Sequence, residues 1–488
     1  METLPLALDF EQCYRAISSR DTRFDGRFFT AVSSTGIYCR PICPAQTPKR
    51  EHTHFYTHAA AAEAAGFRAC RRCHPEVAPT SSDWNIRADL VARALHLIAE
   101  GVIDSMGVAG VADKLGISVR HLSRLLVAEV GVGPLALART RRAQTARLLI
   151  DQTDLSLTTI AFAAGFASLR QFNETMQAVF GCPPSELRRR GQKGEAGTGV
   201  LTLRLTTRPP YDGAYLLNFL GQRTTAGTEE VSNGSYRRTV RFARSAGIIE
   251  LTPQPDNKSV ILRLQLDNLE DLPLIVQRCR EFFDLDADPE AIATVLGNDL
   301  YLQPLILARP GLRIPGATDG FEQGVRAILG QQISVQGART LAGRIVAAVG
   351  EPIATPTATL THYFPTPQQL AVATLDGLGI TGGRIKAIHA LAAAVVAGEI
   401  QLTPSADREQ VSERLLALPG IGPWTVAYIR LRALGDPNAF LPTDLGIRRA
   451  MERLQIAADA ASITARAETW RPWGGYALIH LWASLEER

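Results

Sequence analysis

The sequence predicts a multidomain, mainly α protein: a small zinc-bound α/β module, a helical domain, a small α+β subdomain and an all-α C-terminal domain. Three observations carry this. The chain has 488 residues, too many for one core of ordinary size. Two close cysteine pairs sit near the N-terminus. Beyond about residue 290, apolar positions recur at helical spacing, punctuated by Pro and Gly.

Composition first excludes wholesale disorder, since 46% of residues are hydrophobic and 20% charged. The net charge of +4 is unevenly placed: residues 1–193 hold 24 Lys and Arg against 18 Asp and Glu, and the remainder holds 28 against 30. The basic bias in the N-terminal part fits an anionic partner such as DNA and fits a solvated surface equally well. The start, Met1-Glu2-Thr3-Leu4-Pro5, lacks a basic stretch followed by an apolar core, and no apolar run approaches the roughly 20 residues that span a bilayer. A reducing cytoplasm is the expected compartment, and no membrane partner is expected. There, clustered cysteines mean metal or reactivity rather than disulfides.

Residues 191–199, with four glycines and no large apolar side chain, read as a linker, and Pro79-Thr80-Ser81-Ser82-Asp83 as a weaker break. Five segments result: 1–80, 84–190, the linker 191–199, 200–290 and 291–488. In the fourth, Leu201-Leu203-Leu205 and Val260-Leu262-Leu264-Leu266 alternate as half-buried strands do, with a helix over Ala214 to Arg223 between them.

Cys39-x3-Cys43 and Cys70-x2-Cys73 lie 26 residues apart, a spacing that lets four sulfurs converge on one zinc. His52, His54, His58 and His74 are nearby, but four thiolates complete the shell. Phe24-Asp25-Gly26-Arg27, Thr35 to Pro44 and Gly66 to Pro75 resemble the N-terminal domain of Ada-type adaptive-response proteins. That resemblance implies that Cys39 is both a zinc ligand and a sacrificial methyl acceptor from DNA methylphosphotriesters. Loss of a negative charge on methylation would raise affinity for the duplex, which makes the module a damage sensor.

Ala109 to Ser118 reads as a short helix and a Gly-containing turn, after which Ser118 caps a second helix through about Val130. Leu122, Leu125 and Leu126 share its buried face, leaving Arg120, His121 and Arg124 outward, as a helix-turn-helix reader of a major groove requires. A similar unit follows: Leu157 to Ala164, a turn, then Leu169 to Phe180 with Arg170, Gln171 and Asn173 exposed. Gly165-Phe166, Phe172, Phe180-Gly181 and Pro183-Pro184 resemble AraC-type regulators. Promoter DNA and RNA polymerase are the partners so implied.

The sharpest signal is Leu418-Pro419-Gly420-Ile421-Gly422-Pro423-Trp424-Thr425. Gly420 and Gly422 let the backbone approach a phosphate, and amides at the following helix N-terminus can bind it. Twenty residues beyond Trp424 comes Leu441-Pro442-Thr443-Asp444. This pattern resembles the helix-hairpin-helix glycosylases. Pro209 to Asp212, Arg309 to Arg313, Phe321 to Gln331 and Trp473 through Trp482 are similar to the AlkA branch, which removes alkylated bases such as 3-methyladenine from double-stranded DNA.

An N-glycosidic bond breaks through an oxocarbenium-like state, so a carboxylate beside the sugar stabilises charge and orients water; Asp444 is the expected residue. Bifunctional relatives carry a lysine where this chain has Trp424, so a monofunctional hydrolase is expected. By resemblance Trp424, Tyr428, Trp482 and Phe219 form an aromatic pocket for an everted cationic base, and Gln331 and Gln332 meet the DNA, with Gln332 where the family has an apolar wedge. The resemblance further implies a cleft between the α+β subdomain and the helical bundle, a monovalent cation at the hairpin and a monomer. No cysteine follows Cys279, which excludes an iron-sulfur cluster, and no Pro-Cys-His alkylguanine acceptor occurs. The rival readings are a regulator whose C-terminal half only binds DNA, and a glycosylase-lyase for other lesions.

Overall fold

A computed structural model describes residues 9–21, 24–70, 72, 73, 75, 89–190, 200–354 and 357–486. The proposed linker 191–199, the break at 79–83, His74 and the extreme N-terminus lie outside them. Contacts divide the chain into two compact units, broadly residues 1–208 and 209–488, with two short stretches, 243–245 and 266–277, belonging to the first.

The first unit begins with α1 (Phe10–Ser19), capped by Asp9, whose carboxylate accepts from the amides of Glu11 and Gln12. A four-stranded sheet follows, built from β1 (Phe29–Val32), β2 (Ile37–Cys39), β3 (Thr53–Tyr56) and β4 (Arg68–Ala69) in the order β3-β1-β2-β4. Helix α2 (Ala59–Ala64) packs on it. Strands β2 and β4 run parallel, pairing Ile37 with Arg68 and Tyr38 with Ala69.

Among the described residues, seven helices follow: α3 (Asp89–Ala99), α4 (Val102–Lys114), α5 (Val119–Val130), α6 (Pro134–Gln152), α7 (Leu157–Ala163), α8 (Leu169–Phe180) and α9 (Pro184–Arg190). Helix α4 is broken at Gly107, where φ is +68°, a backbone state that glycine adopts without a side-chain clash. Ser118 and Ser168 cap the two expected second helices, accepting from the amides of His121 and Gln171. Helix α6, 19 residues long, packs against α4, α5, α7 and α8. Leu122, Leu126, Leu137 and Ile98 close the core beneath α5. Strand β5 (Leu201–Thr206) buries Leu203 and Leu205 as the alternation requires.

The second unit opens with α10 (Gly213–Gly221), capped by Asp212. Strands β6 (Glu229–Ser232), β7 (Ser235–Arg241), β8 (Ala246–Pro253) and β9 (Ser259–Leu266) lie in the order β9-β8-β7-β6. The sequence reading anticipated only β9 among these, because Glu229 to Arg241 is too polar to show alternation. Helices then take over at α11 (Leu272–Phe282), earlier than residue 290, and among the described residues no strand follows β9.

The helical bundle comprises α12 (Pro289–Leu296), α13 (Leu302–Ala308), α14 (Gly320–Leu329), α15 (Val335–Val349), α16 (Pro367–Val372), α17 (Gly382–Val396), α18 (Arg408–Leu416), α19 (Pro423–Arg432), α20 (Leu445–Arg453), α21 (Ala460–Thr469) and α22 (Gly474–Ala483). Its core joins Val325 and Ile328 of α14 to Ile388 and Leu391 of α17 and Ile429 of α19. No single described helix is long and apolar enough to cross a membrane.

A buried charge network ties the sheet to α14. Arg238 of β7 pairs with Glu322 of α14, and Arg326 of α14 pairs with Glu229 of β6 at 2.9 Å and with Glu322 at 3.0 Å. Burial alone would raise the Glu229 carboxyl, but the guanidiniums of Arg326 and Arg238 outweigh it and hold it below the usual carboxylate range. Removing one partner leaves an uncompensated buried charge. Glu322→Ala is therefore expected to cost roughly 3–5 kcal/mol in urea unfolding of this unit, and a loss near zero would show that Arg238 finds full compensation elsewhere.

Candidate active site and metal centre

Asp444 is the N-cap of α20, set there by the turn Leu441-Pro442-Thr443. Its Oδ1 accepts from the Ile447 amide at 3.1 Å and from Trp482 Nε1 at 3.0 Å, and its Oδ2 accepts from Trp424 Nε1 at 2.9 Å. Two indoles and a helix N-terminus thus fix both oxygens, and the helix end favours the negative charge. A cavity of about 390 Å³ opens in front of it, lined by Trp424, Tyr428, Asp444, Trp482, Arg223 and Arg432 among others. That volume lies in the range of small-molecule sites.

Trp424 and Tyr428 are one helical turn apart on α19, which stacks their rings at 5.3 Å with 7° between planes. Tyr428 and Trp482 meet at 6.4 Å. Three of the four expected pocket aromatics therefore line one cavity. Phe219 does not: it is 1% exposed, stacks behind Trp482 at 6.3 Å, and is covered by Arg223, whose guanidinium carbon sits 3.6 Å from the ring centroid. Its place on the inner face of α10 makes it a brace for Trp482.

Gly446 of α20 lines the cavity beside Asp444 and Trp482. A Cβ built there would lie 3.0 Å from Asp444 Oδ1 and 3.2 Å from Trp482 Nε1, so any side chain must push the carboxylate or the indole. Gly446→Ala is expected to slow base release about tenfold through that misplacement. An unchanged single-turnover rate would show that the carboxylate's position is not critical.

Gly420 is exposed with φ +75°, and Gly422 caps α19 ahead of Pro423 at the first helical position. Gln331 departs from expectation. Its amide donates to the Gly420 carbonyl and to Thr425 Oγ1, both at 2.9 Å, so it braces the hairpin from the turn after α14 instead of reaching outward. Gln332 is exposed at φ +55° in the turn before α15. The adjoining Ile333, 37% exposed, lines the cavity; sequence reasoning passed over it. Arg223, Arg326 and Arg432 were likewise missed. The pairs Phe219–Arg223 and Tyr428–Arg432, each four residues apart on or beside a helix, were the available signal.

In the first unit the parallel register of β2 and β4 carries the next residues, Cys39 and Cys70, side by side, and the Cys70 amide donates to the Tyr38 carbonyl at 2.9 Å. The sulfurs of Cys39, Cys43, Cys70 and Cys73 all lie within 4.8 Å of one another, with Cys43 and Cys70 at 3.9 Å. Tetrahedral zinc with bonds of about 2.3 Å places sulfurs roughly 3.8 Å apart, so the cluster fits that ion. Amides of Arg40 and Arg72 donate to the sulfurs of Cys73 and Cys70 at 3.3 and 3.4 Å, which favours thiolates. Arg40 also pairs with Asp25 and donates to the Cys73 carbonyl, which gives the Phe24-Asp25-Gly26-Arg27 motif its structural part.

Arg120, His121 and Arg124 are exposed on α5 as expected. Arg170 is exposed on α8 but pairs with Glu174 at 2.8 Å. Gln171 is corrected: it is half-buried, and its side-chain oxygen accepts from the Ala167 amide at 3.1 Å, closing the turn.

A zinc module, two helix-turn-helix units and a helix-hairpin-helix bundle with an aspartate at the wall of an aromatic cavity define a DNA-repair regulator fused to a base-excision glycosylase fold. Residues 12–76 match the metal binding domain of Ada, 111–190 a helix-turn-helix domain, 202–319 the AlkA N-terminal domain, and 325–474 the HhH-GPD superfamily of base excision DNA repair proteins. The chain belongs to the family of the probable bifunctional transcriptional activator/DNA repair enzyme AlkA of Mycobacterium tuberculosis, to which it is 46% identical over 98% of its length and 97% of that protein's. It is also 35% identical to DNA-3-methyladenine glycosylase 2 of Escherichia coli, over 57% of this chain and 95% of that one. The 3-methyladenine DNA-glycosylase structure from Archaeoglobus fulgidus shares the fold with a TM-score of 0.51, at 22% identity, over 58% of this chain and 98% of that chain.

Proposed function

We propose that this protein releases alkylated bases such as 3-methyladenine from double-stranded DNA by hydrolysis, and that its N-terminal part senses methylphosphotriesters and reads promoter DNA. The observation that supports this most is the Asp444 carboxylate, held by Trp424, Trp482 and the α20 N-terminus at the wall of the cavity.

In this reading the damaged nucleotide turns out of the stack and its base stacks against Trp424, Tyr428 and Trp482. As the C1′–N bond lengthens, the anion of Asp444 stabilises the oxocarbenium-like sugar and accepts a proton from the water that attacks C1′. Trp424 offers no amine, so no Schiff base forms and the strand is left with an abasic site. The amides after Gly420 and Gly422 hold phosphates of the bent duplex, and a monovalent cation at the hairpin would add positive charge for them. Gln332 and Ile333 fill the gap left by the everted base.

Cys39 takes the methyl group in the first unit. Its sulfur forms the new S–CH3 bond as the O–CH3 bond of the phosphotriester breaks, and the electron pair stays on the phosphate oxygen. One bound zinc keeps the four cysteines as thiolates at neutral pH. Arg120, Arg124 and Arg170 face promoter DNA, with RNA polymerase as the further partner of a cytoplasmic, nucleoid-associated monomer.

The test of the enzyme reading is incubation of the wild-type chain with methylated duplex DNA. Free 3-methyladenine and 7-methylguanine are expected, with no borohydride-trapped adduct. Absence of both free bases would leave a DNA-binding regulator, and a trapped adduct would overturn the water mechanism.

A further inference from the structure

Helix α2 belongs to two cores at once. It packs on all four strands of the metal module, yet Ala60 is buried in the core of the helical domain with Leu97, Leu126, Val130 and Leu137. Ala61 lies against the turn after α5, 3.6 Å from where a Cβ on Gly131 would be. At the opposite edge of the sheet from β3, strand β4 packs on α8. A Cβ built at Gly181, the left-handed C-cap of that helix, would lie 2.7 Å from Arg68 Nη1. The metal module therefore touches both helix-turn-helix units through its own elements.

The polar link between them is Glu63 of α2. Its Oε1 accepts from the Tyr38 hydroxyl at 2.8 Å and its Oε2 from Thr140 Oγ1 at 2.6 Å. Tyr38, 1% exposed, is the β2 residue directly before Cys39, and Thr140, 6% exposed, lies in the first half of α6. Burial raises the Glu63 carboxyl, and the hydroxyls of Thr140 and Tyr38 and the charge of Arg139 offset only part of that rise. An apolar side chain of the same shape would cost less to bury. Apolar contacts can slide, however, whereas two hydroxyl bonds to one carboxylate admit a single register.

We propose that Glu63 is a positioning residue that holds the Cys39 strand in fixed register with α6, so that the metal face and both reading helices meet one duplex as a single surface.

This rests on the sensor reading above. Removing a negative charge at Cys39 strengthens binding only where the metal face lies against DNA. A module on a loose linker would lose much of that gain to the volume it explores. With the register fixed, the gain goes to the duplex that α5 and α8 hold. Breaking the link is therefore felt in the response to methylation and not in the chemistry of methyl transfer.

The experiment uses the full zinc-loaded chain and a duplex selected from a random pool by wild type that has taken methyl label from methylphosphotriester DNA. Kd for that duplex is measured before and after methylation, and the ratio is the gain. In Thr140→Val, which keeps the side chain's shape and removes one bond, the gain is expected to fall about tenfold, within the usual range of coupling between sites. Methyl uptake and zinc content should stay at wild-type levels. Tyr38→Phe removes the other bond and should give the same loss, and the double variant should lose no more than either alone, since both break one link. Glu63→Gln, whose amide can accept from one hydroxyl and donate to the other, should retain the gain. A gain unchanged in both single variants, losses that add in the double variant, or a Glu63→Gln chain without the gain would each overturn the inference and leave the sensor reading standing. Loss of methyl uptake along with the gain in both single variants would assign the link to folding of the module, which also overturns it. Wild type that takes up label with no gain would overturn both.

Discussion

Asp444→Asn is expected to slow 7-methylguanine release by about 10²–10³-fold, equivalent to roughly 2.7–4 kcal/mol of transition-state stabilisation. The fold should survive, because asparagine caps a helix as well as aspartate does and its oxygen can still accept from Ile447 or an indole. Only one oxygen remains, however. The amide nitrogen would face either Trp424 Nε1 or Trp482 Nε1 as donor against donor. The variant therefore loses the charge and one of the two bonds that aim it. Single-turnover release at saturating enzyme reads the effect, with thermal unfolding as the control. A rate within about fivefold of wild type would mean that the carboxylate is a helix cap and no more.

Cys39→Ser is expected to abolish methyl transfer from methylphosphotriester DNA and to weaken zinc binding. Serine oxygen is neither a soft ligand nor a thiolate nucleophile. The wider effect should appear on chelation. This module has four strands of two to four residues and a small cluster of Cys13, Ala16, Ile17 and Phe28 beneath them. Such a core cannot replace the roughly 10–16 kcal/mol that a four-thiolate zinc site contributes. Stripping zinc should melt the sheet and end transfer together. Methyl label that persists in Cys39→Ser would assign the acceptor elsewhere, and a sheet that survives chelation would show that the four sulfurs are incidental to folding.

Local chemistry made much of this chain legible. Ser118 announced its helix because an N-cap is a short-range contact between a hydroxyl and an amide three residues on. The cysteine pairs and the distance from Trp424 to Asp444 were readable because their chemistry depends on spacing. Phe219 and Gln331 went the other way. Nothing near Phe219 in sequence announces that Arg223 will cover its ring, and Gln331 is turned inward by Gly420 and Thr425, about 90 positions later. Strands β6 to β8 were hidden because their buried polar residues, Glu229 and Arg238, break the apolar alternation and are satisfied by each other, by Tyr236 and by α14. Arg432 shows the same limit: the carbonyls of Pro315 and Gly316 that hold its guanidinium lie 117 and 116 positions earlier, a separation that no local pattern displays.

Helix α6 sets a ruler. Its 19 residues rise about 28 Å, a little less than the roughly 34 Å of one duplex turn, and both reading helices pack against it. In the proposed reading, the spacing between the two DNA-facing units is set by this helix and not by a flexible tether. On that reading, a target touched by both units is expected to lose recognition when half a helical turn is inserted between its two contacted motifs, even though every contacted base is retained.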